Sequence, residues 1–100
     1  ALDAINLAKK AGALITGFEK VRENLQKGRV AFIIEAADAG SDGNAKIRAA
    51  AGNTEILTLF EVEELDKALN RTNTVHAAVL KGGMAEMVRS QLRKWQNFNS

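Results

Sequence analysis

The chain has 100 residues, 46% of them apolar, and a net charge of +2, which is one domain's worth of sequence with enough apolar side chains for a buried core. It has no cysteine, which excludes disulfides, thiolate metal sites and cysteine nucleophiles and fits a reducing cytoplasm. No apolar run approaches the roughly 20 residues that span a bilayer, and no signal-peptide pattern is present, so a membrane is not an expected partner.

In chain order, Leu2, Ile5 and Ala8 recur at helical spacing and Gly12 follows as a stop. Ala13-Leu14-Ile15 is a short strand candidate. Phe18, Val21 and Leu25 mark one face of a second helix, which Gly28 ends. Val30-Ala31-Phe32-Ile33-Ile34 is a continuous apolar run, the pattern of a strand covered on both faces. A turn-rich loop is predicted over residues 38–44, then an alanine-rich helix over 45–51 and a strand over 55–60. Val62, Leu65 and Leu69 define a fourth helix, opened by Glu61, Glu63 and Glu64 where acids favour the positive end of the helix dipole. A polar loop leads into a strand over residues 74–80. Lys81-Gly82-Gly83 reads as a glycine turn into the last helix, with Met84, Met87, Val88, Leu92 and Trp95 as its apolar stripe and Arg89, Arg93 and Lys94 on the other side. Helices alternating with strands predict an α/β fold in which a small sheet is sandwiched between helices.

Charge is unevenly spread. Residues 1–30 carry six Lys or Arg against three acids (+3), residues 31–69 three against eight (−5), and residues 70–100 five against one (+4). If both ends share a face, that face is basic, the footprint of a polyanion partner.

Catalytic groups are sparse. His76 is the only histidine; inside the run Val75-His76-Ala77-Ala78-Val79 it reads as a hydrogen-bonded structural residue. A second histidine is missing and so a common zinc set cannot be assembled. No cofactor, no metal and no enzymatic activity are expected. The start of the second helix is more informative. Thr16 and Glu19 have capping-box spacing, and the amides of that turn would attract a phosphate or a base edge. Lys20 faces solvent there, and Lys27 and Arg29 lie one helix length away.

The stretch LAKKAGALITGFEKVRENLQKGRVAFIIEAADA, continued by ILTLFEVEELDKALNRTNTVHAAVL, resembles the kink-turn RNA-binding ribosomal-protein superfamily, the L-seven-Ae and L-thirty-e class that includes the bacterial YlxQ and YbxF proteins. The likeness covers nearly the whole chain, and is greatest to the C-terminal domain of bacterial YlxR-type nucleic-acid-binding proteins. It implies a three-layer α/β/α sandwich with a mixed sheet of about four strands and the binding of structured RNA, ribosomal RNA included. In that family, polar side chains at this helix start enter the major groove at sheared G·A pairs, and the loop before the last strand packs over extruded bases. The family motif, laid on residues 17–23, matches at Gly17 and departs at Glu19, Lys20 and Glu23.

The resemblance, with an opening on Ala1 rather than methionine, leads us to expect one RNA-binding domain over residues 1–100, the C-terminal part of a longer cytoplasmic protein of the ribosome or translation machinery. Its expected RNA surface is Gly17, Phe18 (stacking on a base), Lys20, Lys27 and Arg29, together with Asn70, Arg71, Thr72, Asn73 and Thr74. The alternative is a protein-interaction module, docking on ribosomal or transcription proteins, that kept the fold and lost specific RNA recognition. Glu19, Glu23 and the acidic middle of the chain are its warrant.

Overall fold

Each apolar run becomes a strand that sends alternate side chains to opposite faces of one sheet. In the computed structural model, which describes residues 2–38, 41–70 and 75–99, the order is α1 (Leu2–Lys10), β1 (Leu14–Thr16), α2 (Phe18–Gln26), β2 (Val30–Glu35), α3 (Ser41–Ala51), β3 (Glu55–Thr58), α4 (Val62–Leu69), β4 (His76–Leu80) and α5 (Gly83–Asn99). The strands lie in the order β1-β4-β2-β3. β4 is antiparallel to both β1 and β2, and β2 is parallel to β3, so the sheet is mixed.

Two separate cores show why the runs had to be apolar throughout. Leu14, Phe32, Ile34, Leu57, Ala77 and Val79 point to one face and pack on α1, α4 and α5 through Ile5, Leu65, Leu69, Val88 and Leu92. Ile15, Ile33, Ile56, Ala78 and Leu80 point to the other face and meet Val21 of α2 and Ile47 and Ala51 of α3. A sheet buried on both sides has no polar alternation to show. The result is the three-layer α/β/α sandwich.

One detail breaks the alternation. Val30 and Phe32 should share a face, yet Val30 joins the α2–α3 core and Phe32 the opposite one. The ladder to β4 slips between them, Val30 facing Leu80 and Phe32 facing Val79. This is a β-bulge at Ala31, one extra residue opposite a single step of β4. The Arg89 guanidinium on α5 donates to the Ala31 carbonyl (3.2 Å) and stands over the Phe32 ring, 5.2 Å from its centroid.

Several boundaries differ from expectation. The segment read as a loop up to residue 44 is helical from Ser41 onward. Ser, Asp and Asn serve helix starts as well as turns, so composition alone does not separate the two. β3 stops at Thr58, and Phe60 leaves the strand to pack against Trp95 with ring centroids 4.7 Å apart. Thr74, placed in the last strand, lies outside the described residues. Within the α5 stripe Val88 and Leu92 are fully buried, but Met87 is 37% exposed and sits at the edge of the buried face. Arg89 and Arg93, read as solvent-facing, are both tied to Glu55 of β3.

Candidate nucleic-acid interface

The topology gathers β1, β2 and β3 by their C-terminal ends and β4 by its start. Thr16 pairs with Ala77, Glu35 with His76 and Glu35 also with Thr58. The chain passes directly from Thr16 through Gly17 into α2, so the start of that helix stands at this upper end of the sheet. Asp38, just beyond β2, accepts a hydrogen bond from the Val62 N–H (2.8 Å) and ties the start of α4 to the same end.

Gly17 is the N-cap of α2, at φ 92° and ψ 135° with no side-chain cap. That backbone region is closed to most L-residues, which explains the glycine without a ligand. The capping box expected between Thr16 and Glu19 is not formed, because the helix begins one residue later than that spacing assumes. Glu19 instead accepts from Arg22 (2.6 Å). The first intrahelical bond is Val21 N–H to the Gly17 carbonyl, and among the described residues no side chain caps the amides ahead of it. An uncapped helix start of this kind favours an anion.

Around that turn, Lys20 is exposed and has no side-chain partner among the described residues. Glu23 is bridged by Lys27 (2.9 Å). That hydrogen bond and the Lys27 charge, with a smaller contribution from Arg29, hold the Glu23 carboxyl below its ordinary pKa. Both acids that depart from the family motif are thus paired with a base, Glu19 inside α2 and Glu23 with the residue that caps its end. Phe18 is half-buried against the α2–α3 core, its ring 6.0 Å from the Arg22 guanidinium, so its inner face packs as core.

Not all of the expected surface comes together. Lys27 and Arg29 follow the far end of α2, about 14 Å from its start at helical rise, and the Arg29 carbonyl accepts from the Lys81 N–H at the opposite end of the sheet. Asn70 ends α4 in a left-handed conformation, φ 53°, and the preceding Leu69 carbonyl accepts from the Lys9 ammonium, which anchors that helix end on α1. Arg71, Thr72, Asn73 and Thr74 lie outside the described residues.

Sequence reading missed a buried polar row beneath the start of α2. Glu35 and His76 occupy adjacent strands and are 1% and 6% exposed, and Thr58, paired with Glu35 on the other side, is exposed at the rim. Arg48 reaches in from α3 to Glu35 (3.1 Å), and the Thr58 hydroxyl donates to the same oxygen at 3.4 Å. The signal was a lone glutamate closing the apolar run of β2. His76 is buried as expected, but its Nε2 finds no hydrogen-bond partner among the described residues. Burial lowers its pKa, and the Glu35 charge only partly offsets this. The unfolded chain therefore takes the proton first, near the ordinary value of about 6.5, and stability is lost as pH falls through that point. Thermal melts should show a falling Tm between pH 7.5 and 5.5, and His76→Gln should flatten that slope.

Among the described residues no helix is long and apolar enough to cross a membrane, and no group of three or more His, Asp or Glu is placed to hold a metal ion. The sandwich, with its uncapped helix start beside the strand ends, has the L-seven-Ae-like fold. A protein of unknown function from Bacillus halodurans C is similar at a TM-score of 0.82, with 24% identity over 92% of this chain and 95% of that one. The Giardia lamblia 15.5kD RNA binding protein is similar at a TM-score of 0.72, with 18% identity over 91% of this chain and 79% of that one. No family model and no curated protein matches the sequence.

Proposed function

We propose that residues 1–100 are a non-enzymatic RNA-binding domain of the kink-turn ribosomal-protein superfamily, bacterial and acting in the cytoplasm with the ribosome or translation machinery. Its ligand is structured RNA, held at the start of α2 by Gly17, Lys20 and the open amides, with residues Asn70 to Thr74 as further contacts. The observation that carries this reading is the state of α2. Its first turn is uncapped, and Glu19 and Glu23 are drawn into pairs with Arg22 and Lys27 rather than left to repel phosphate. The likeness to an RNA-binding protein supports the same class of ligand.

A backbone chemical-shift titration with a kink-turn RNA, against a regular duplex of equal length, tests it. Shifts confined to residues 17–23 and 70–75 with the kinked RNA alone are the expected result. Lys20→Ala and Arg71→Ala should each lower the salt dependence of binding by about one unit of slope.

The second reading is a protein-interaction module that retained the fold without the RNA activity. What favours it is a groove of about 280 Å³ between α1 and α5, flanked by Leu7 and Met87, the exposed large apolar side chains among the described residues. It requires that neither RNA move any resonance.

A further inference from the structure

The end of the sheet opposite the α2 start has its own charge pattern. Three turns meet there. The α1–β1 turn is joined to β4 by the Leu80 N–H bond to the Ala13 carbonyl, and the α2–β2 turn is joined to the β4–α5 turn by the Lys81 N–H bond to the Arg29 carbonyl. An exposed cation stands at each turn: Lys10 as the last residue of α1, Arg29 between α2 and β2, and Lys81 between β4 and α5. None of the three has an ion pair among the described residues, and Glu23 and Glu86, the acids on the flanking α2 and α5, are bridged by Lys27 and Arg89.

The turns are built on Gly12, Gly28 and Gly82-Gly83, and the space where a Cβ would stand over each is open. Backbone geometry explains most of these glycines: Gly12, Gly28 and Gly82 have positive φ. It does not explain Gly83, which has ordinary helical geometry and room for a side chain. A cationic surface with open backbone at its glycines suits close approach of a phosphate chain.

We propose that this lower end, with Lys10, Arg29 and Lys81, is a second phosphate-contact surface that holds an RNA segment other than the one met at the start of α2. The inference rests on the RNA reading above and deepens it. The two surfaces lie at opposite ends of a molecule whose Cα extents are 29 × 29 × 25 Å, so one RNA must run along its flank or two segments must be bridged.

The test is fluorescence anisotropy of the whole chain with a hairpin RNA containing a kink-turn, measured across a KCl series. The variants are Lys20→Ala, the triple Lys10→Ala/Arg29→Ala/Lys81→Ala, and Gly83→Glu. Loss of three phosphate contacts should lower the slope of log K against log[salt] by about 2–3, additively with the change from Lys20→Ala. Gly83→Glu adds an acid where a helix start accepts one, so it should keep the Tm while weakening binding about tenfold at low salt. A triple variant with the wild-type slope, alongside a Lys20→Ala variant with a reduced one, overturns the second surface and leaves the α2 site standing. The reverse pattern retains the lower end and overturns the α2 site. No binding by the wild-type chain overturns both.

Discussion

Phe32→Ala should lower the free energy of unfolding by about 3–5 kcal/mol, measured by urea denaturation with an unchanged m-value. Phe32 is fully buried on a central strand, flanked by β4 and β3, where α5 and α1 close over the sheet. Neither neighbouring strand can move in to fill the space without giving up ladder bonds, so the cavity term adds to the lost transfer energy. A domain of this size has about 5–15 kcal/mol in total, and the variant would stand close to unfolding. Phe32→Leu, which leaves a smaller void, should cost much less. A loss below about 1 kcal/mol for the alanine variant would mean that Phe32 does not face this core, and the bulge at Ala31 would go with it.

The second large effect is expected at Arg89. Arg89→Met keeps the aliphatic stem and should cost about 2 kcal/mol, the range for a charge-assisted hydrogen bond lost at a partly buried site. The guanidinium, 21% exposed, has its Nε 3.0 Å from Glu55, and it donates to the Ala31 carbonyl that the bulge takes out of the regular ladder. Glu55 would keep Arg93, whereas the Ala31 carbonyl would lose its side-chain donor. Because the same group stands over the Phe32 ring, a double-mutant cycle with Phe32→Leu should show coupling of about 0.5–1 kcal/mol. A cost for Arg89→Met within about 0.5 kcal/mol, as for an ordinary surface change, would show that water satisfies the bulge carbonyl just as well.

The bulge also shows how far pattern reading reaches. The run from Val30 to Ile34 announced a doubly covered strand, and the strand is there. Nothing in five consecutive apolar residues marks where one of them is extra, since every phase of an all-apolar run looks alike. Arg89 was misread for a related reason. Helical periodicity places it off the apolar stripe, but a long side chain at the edge of a buried face can reach the backbone of the next layer.

At the candidate interface the limits were of a different kind. Glycine at position 17 and a helix starting beside it were legible. The capping box was not decidable, because an error of one residue in the helix start changes which side chain occupies which cap position. Lys27 and Arg29 looked like companions of Lys20 because sequence distance along a helix is small. Folding the chain turned that length into a separation between opposite ends of the sheet, and brought Lys81 against Arg29 and Lys10 to the same end instead. Glu35 and His76 are separated by the whole of α3, β3 and α4, and only strand pairing makes them neighbours.

The sequence alone determined the alternation of helices and strands, the double cover of the sheet and the absence of cysteine chemistry, since each follows from local periodicity or from composition. Tertiary structure alone decided strand order, the bulge, the burial of Glu35 with His76, and the division of the basic residues between two ends of the molecule. These depend on contacts between segments far apart in the chain, and their energies are set by what is packed alongside rather than by the neighbours in sequence.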